Sequence, residues 1–161
     1  RPGQGPANET TTKNGTRQSW WEQLPPEPMN IASKNGEDGI LLHLFAHVQP
    51  TTRYFVELGA DGGACTNSIM LKHSGWRGVR INCCVTDPSK FLYKEDIFPY
   101  NVVNILSRYK IPKQVDLLTI DLDANDAFVL AAIWKAEYRP RIIMIESNNN
   151  FGEDSILSFP P

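Results

Sequence analysis

Residues 56–63 read Val56-Glu57-Leu58-Gly59-Ala60-Asp61-Gly62-Gly63, and their reading decides the fold. The run that leads into them, residues 53–58 (RYFVEL), is β-branched and aromatic, stops at Gly59, and reads as a buried strand. A carboxylate at the strand end and glycines in the turn let a ligand's polar groups approach the backbone closely. A helix expected over residues 66–73 would add the free N–H groups of its first turn. The spacing is not the G-x-G-x-x-G of dinucleotide sites. A glycine-rich turn after a strand is also what tight packing alone produces.

Working outward, residues 78–85, 115–122 and 141–146 read as three further strands. Helices are expected within residues 97–109, with Val102, Val103, Leu106 and Tyr109 inward, and over residues 124–135. Strands alternating with helices of about ten residues make βαβ units, hence a parallel sheet with right-handed crossovers. The expected fold class is α/β: a Rossmann-like three-layer fold, strand order second-first-third-fourth, helices on both faces. Upstream, residues 37–48 carry apolar side chains at 40, 41, 44, 45 and 48, a helical stripe, with Asn35 as the expected N-cap, Asp38 favourable to the helix dipole, and Pro50 as the stop.

Residues 1–30 have a different composition from residues 31–161, the expected domain. The first seventeen are rich in Gly, Pro, Asn and Thr and contain no large apolar residue, so the arm is expected to be extended, with no regular structure over residues 1–19. Asn8-Glu9-Thr10 and Asn14-Gly15-Thr16 are sequons, which makes Asn8 and Asn14 glycan acceptors in a lumenal protein; the tripeptide also arises by chance in such tails. On that basis a secretory or organellar location is favoured over the cytosol. Trp20 and Trp21, ahead of Pro25, Pro26 and Pro28, read as an aromatic anchor for the domain surface or for a protein partner.

A chain of 161 residues suffices for one domain with a hydrophobic core. The net charge of −2 leaves no electrostatic footprint for nucleic acid, and stretches such as residues 40–48 are too short to span a bilayer. Cys83 and Cys84, on a strand, would point to opposite faces, so buried free thiols are expected rather than a local disulfide or shared metal. His43 and His47 lie four apart on one helix without an evident third ligand. Asp121-x-Asp123-x-Asn125 opens like a calcium loop, but Asp126 and Ala132 stand where Gly and Glu are needed. Ser68, Ser74 and His73 lack the setting of a nucleophile elbow. No metal site is expected.

Five segments carry a resemblance. The spacing E-x-G-x-x-G at Glu57, Gly59 and Gly62 looks like motif I of class I methyltransferases. Residues 33–40 (SKNGEDGI), 75–79 (GWRGV), 111–126 (from Ile111-Pro112 to Asp116-Leu117-Leu118-Thr119-Ile120-Asp121-Leu122-Asp123-Ala124-Asn125-Asp126) and 142–146 (IIMIE) are similar, in the same order, to signatures of the FkbM-type S-adenosylmethionine (SAM)-dependent methyltransferases. The resemblance implies a site at the carboxyl ends of the strands. Glu57, Gly59, Asp61 and Gly62 would line the methionine side of SAM, and Asp121 and Asp123 would face the methyl-transfer cleft as candidate bases. Asn125 and Asp126 would begin the next helix, where capping alone accounts for Asn125.

The sequence also departs from the pattern. The second strand of such enzymes ends in a carboxylate for the ribose hydroxyls, and here none occurs before Asp87. Residues 81–86 resemble the family's third strand, as though the end of the second strand and its helix were fused out near Val79–Arg80. Two functions therefore stand side by side: SAM-dependent methylation of an oxygen or nitrogen on a small molecule or sugar, and a non-catalytic accessory subunit or secreted glycoprotein that keeps the fold with an eroded site.

Overall fold

The computed structural model describes residues 29–60 and 66–146, together with the backbone of two short strands before them. The chain divides into two compact units, Arg1–Gln49 and Pro50–Pro161. In the first, β1 (Thr10–Thr11) pairs antiparallel with β2 (Arg17–Gln18), so the arm expected to lack regular structure contains a two-stranded ladder. Helix α1 (Glu37–His47) is capped by Gly36, not by the expected Asn35. The Asn35 amide instead donates to Glu37 Oε1 at 3.2 Å. Asp38 does more than face the helix dipole. It is fully buried, and its Oδ2 accepts the backbone N–H groups of Ile31, Ala32 and Ser33 at 2.7–2.9 Å. The chain entering the helix is thereby tied down.

The second unit runs β3 (Tyr54–Leu58), α2 (Ile69–His73), β4 (Arg77–Asn82), a 3-10 turn (Pro88–Lys90), β5 (Leu92–Lys94), α3 (Val102–Arg108), β6 (Leu117–Ile120), α4 (Asp126–Lys135) and β7 (Ile142–Ile145). Its five strands form one parallel sheet in the order β5-β4-β3-β6-β7. This is a Rossmann-like α/β fold, and the four strands read from the sequence take the expected order. The fifth, β5, lengthens the sheet on the β4 side.

Alternation along the strands sorts the side chains. Val56 and Leu58, Val79 and Ile81, Leu118 and Ile120 form one cluster with Val102, Ile105 and Leu106 of α3 and Val129 and Ile133 of α4. At roughly 1.5–3 kcal/mol per fully buried aliphatic side chain, this layer is the main source of stability. The opposite face carries Phe55 and Leu117, and also the buried polar residues Glu57, Arg80 and Thr119. The segment leading into α2 is bonded to this second face, through Glu57. Gly78 is required here, because a Cβ would lie 2.5 Å from the Phe55 ring.

Two element ends differ from the sequence expectation for a visible reason. Helix α2 starts at Ile69 with Ser68 at its N-cap, and the N–H of Asn67 and the hydroxyl of Ser68 are bonded to Glu57. Strand β4 stops at Asn82, whose Oδ1 accepts from the N–H groups of Cys84 and Val85 at 2.7 and 2.8 Å and closes a turn. Cys83 and Cys84 consequently leave the sheet and are exposed, which corrects the expectation of buried thiols. Through Val79 and Arg80, the place of the expected fusion, β4 is unbroken and in register with β3. Its connection to β5, residues 83–91, contains a 3-10 turn where parallel strands ordinarily use a helix.

Candidate ligand site at the strand ends

Strand β3 is followed in the sheet by β4 and β5 on one side and by β6 and β7 on the other, so the strand order reverses between β3 and β6. Open parallel sheets bind ligands outside the carboxyl ends of their strands at such a point. The turn after β3 sits there. Gly59 has φ +87°, and a Cβ on it would fall 1.6 Å from the carbonyl oxygen of Asp121, at the end of β6. No side chain fits that gap. The N–H groups of Gly59 and Ala60 both donate to Ile81 O at 2.9 Å, while Asp121 N–H donates to Leu58 O at 2.9 Å. The turn is thus braced between β4 and β6.

Glu57 is a strut within this arrangement. Its carboxylate accepts from Asn67 N–H at 2.9 Å, from the Ser68 hydroxyl, and from Arg80 Nε at 3.1 Å. Arg80 is fully buried, and its Nη1 also reaches Lys90 O at 3.5 Å. A buried pair of this kind depends on further hydrogen bonds to offset desolvation, and Glu57 has them. Some polar capacity on this face remains unused. Among the described residues, Thr66 Oγ1, Arg80 Nη2, Asn82 Nδ2 and Thr119 Oγ1 are buried without a hydrogen-bond partner. Arg80 and Thr119 flank Glu57 in register, and Asn82 lies one pleat beyond Arg80. Buried polar groups are rarely left bare, so this face can take water or the polar groups of a ligand.

The other half of the site is acidic. Asp121 and Asp123 follow β6, Glu146 follows β7, and a carboxylate oxygen from each lies within 4.8 Å of the others. All three are exposed. Parallel pairing of β6 with β7 brings Glu146 here, and its N–H donates to Ile120 O at 3.0 Å. Burial raises the Glu146 carboxyl above its ordinary range, and the neighbouring Asp121, Asp123 and Asp126 raise it further. Asp123 has φ +62°, in the left-handed region that Asp tolerates better than most residues, and so bends the chain back towards the cluster. Asn125 occupies the N-cap position of α4 but makes no side-chain cap bond, whereas Asp126 Oδ1 accepts Leu122 N–H at 2.9 Å. Three converging carboxylates can share a proton, take one from a bound hydroxyl or amine, or ligate a hard cation.

Of the residues singled out in the sequence, the structure gathers Gly59, Asp121 and Asp123 at one end of the sheet and sets Glu57 one step below. Asp61 and Gly62 lie outside the described residues, as do Asn8, Asn14, Trp20 and Trp21. Glu146 was missed as a site residue. Its signals were its place at the end of a strand and of the IIMIE segment. Asp116, within the signature segment of residues 111–126, works at the opposite end of the sheet. It accepts from the N–H groups of Thr51, Thr52 and Arg53 and from both threonine hydroxyls. His43 and His47 have ring centroids 4.6 Å apart, with His47 Nδ1 2.9 Å from the His43 carbonyl oxygen. Among the described residues, no group of three potential metal ligands includes either. Comparison of the chain with family models, with curated proteins and with solved structures yields no match.

Proposed function

We propose that the second unit is a methyltransferase-like domain of FkbM type that binds SAM weakly at the end of β3. Its methyl acceptor would be an oxygen or nitrogen of a small molecule or sugar, set against the acidic rim. The observation that carries this reading is the backbone contact of Gly59 with Asp121 at the reversal of strand order, beside Asp123 and Glu146. SAM would supply the methyl group. The chain's own part is alignment of the acceptor and removal of its proton by Asp121 or Asp123.

The residues present fit the cofactor incompletely. Gly59 and Ala60 have spent their N–H groups on Ile81. At the end of β4 the buried, unpartnered Asn82 Nδ2 can donate to a ribose hydroxyl oxygen, in place of the charged acceptor that such sites use. A charged hydrogen bond is worth about 1.5–3 kcal/mol, so its loss weakens binding roughly 10- to 100-fold. That observation also favours the second reading, a non-catalytic accessory subunit. Calorimetric titration with SAM and with its demethylated product separates them. On the first reading, heat of binding develops without saturation below about the millimolar range and is lost in Asp121→Ala. Absence of any binding by a folded chain that co-purifies with a protein partner supports the accessory subunit. Micromolar binding contradicts the weak site.

A further inference from the structure

The turn after β4 has a chemistry that neither reading uses. Adjacent cysteines in a strand point to opposite faces. Here Asn82 Oδ1 takes the N–H groups of both Cys84 and Val85, turning residues 83–85 out of the sheet, and the two thiols come to the same side with Sγ to Sγ 2.9 Å. Both are exposed and free. The surroundings are fixed. Asn82 O accepts Glu95 N–H at 2.8 Å, Thr86 Oγ1 accepts Lys94 N–H at 3.0 Å, and Ile81 O, one residue before Asn82, holds the Gly59 and Ala60 N–H groups. A dithiol held together by a hydrogen-bonded turn and open to solvent has its two sulfurs within reach of each other.

We propose that Cys83 and Cys84 form a reversible redox site that closes to an intramolecular disulfide by exchange with a small-molecule disulfide of the glutathione class. The thiolate of one cysteine attacks a sulfur of the external disulfide, forming a mixed disulfide and releasing one thiolate. The thiolate of the other then attacks the protein sulfur of that mixed disulfide, making the Cys83 Sγ–Cys84 Sγ bond and releasing the second thiolate. The two protons from the cysteines end on the two released thiols. The protein is oxidised by two electrons and the external disulfide is reduced by two. Adjacent Cα atoms lie about 3.8 Å apart, closer than the roughly 4.4–6.8 Å of ordinary disulfides, so the bond is of the labile class that exchange reverses readily. Closing the ring rearranges the turn that starts at Asn82, and the Gly59 and Ala60 N–H groups, held by the preceding carbonyl, report that change whether or not the chain binds SAM.

The test uses the full chain with Cys65→Ser, so that only this pair remains. After equilibration in oxidised glutathione, the expected product is a monomer two hydrogens lighter than the reduced protein. It should resist alkylation, return to two reactive thiols with dithiothreitol, and show shifted amide resonances at Gly59 and Ala60. Cys83→Ser and Cys84→Ser should each retain one glutathione as a stable mixed disulfide. A chain carrying two glutathiones, a disulfide-linked dimer, or two thiols still alkylated after oxidation overturns the proposal. Formation of the bond with the Gly59 and Ala60 resonances unmoved overturns its link to the β3 turn.

Discussion

Two acidic regions sit side by side in this sheet and behave in opposite ways. Glu57 is buried and fully engaged, bonded to Asn67, Ser68 and Arg80. Asp121, Asp123 and Glu146 are exposed at the rim and crowd one another, a carboxylate oxygen of each within 4.8 Å of the others. The first arrangement stabilises the fold, as a buried charge is retained only with partners. The second lowers stability slightly and keeps charge available at the strand ends, which is what a site for a proton, a cation or a polar acceptor needs. Burial, and not residue type, separates the strut from the site.

The largest effect is expected between these regions, at Gly59→Ala. The new methyl would stand 1.6 Å from Asp121 O at a φ that disfavours any side chain. Chemical denaturation should show a loss beyond about 4 kcal/mol, or no folded protein at all. Next comes the strut. Arg80→Met strands a buried Glu57 and should cost roughly 3–5 kcal/mol. The double variant Glu57→Leu with Arg80→Met should regain part of that, and failure to regain any would show the strut to be held by more than the pair.

A third prediction concerns the far end of the sheet. Burial pushes the Asp116 carboxyl up, but the N–H groups of Thr51, Thr52 and Arg53 and the Thr52 hydroxyl outweigh it and bring the pKa from 3.8 to about 2. Because the folded value is depressed, its stabilisation is complete above the unfolded value and is lost as pH falls through about 2. The difference amounts to roughly 2 kcal/mol at neutral pH. Asp116→Asn should lose about that much at pH 7 and flatten the acid limb of the stability curve. An unchanged acid limb would contradict it. The smallest effect belongs to the rim. A carboxyl raised in the folded state favours folding at low pH, and that contribution fades as pH rises through the folded pKa. Asp123→Asn should bring Glu146 back towards its ordinary range in a carboxyl-detected titration, with stability changed by less than about 0.5 kcal/mol.

Legibility in the sequence followed locality. Strand β7 is a continuous apolar run, β3 and β6 are apolar runs interrupted only by Glu57 and Thr119, and α4 has its own stripe, so both periodicity and order could be read. Strand β5 is only Leu92, Tyr93 and Lys94, too short to show a period. The approach of Glu146 to Asp121 depends on the register of β6 with β7, and the close contact of Gly59 depends on a carbonyl sixty residues away along the chain (roughly, and typical of sheet neighbours). Neither is encoded in a neighbourhood. The thiols were misread for a related reason: a single side chain, Asn82, ends the strand earlier than composition implies.

The most direct measurement is an amide chemical-shift titration of the full chain with SAM. Weak binding at the strand-order reversal predicts progressive shifts at Gly59, Ala60, Asn82, Leu122 and Glu146 as the concentration reaches about the millimolar range, with α3 and the far end at Thr51–Arg53 unmoved. Shifts centred on those distant segments, or none at roughly 10 mM, would contradict a ligand site at the end of β3.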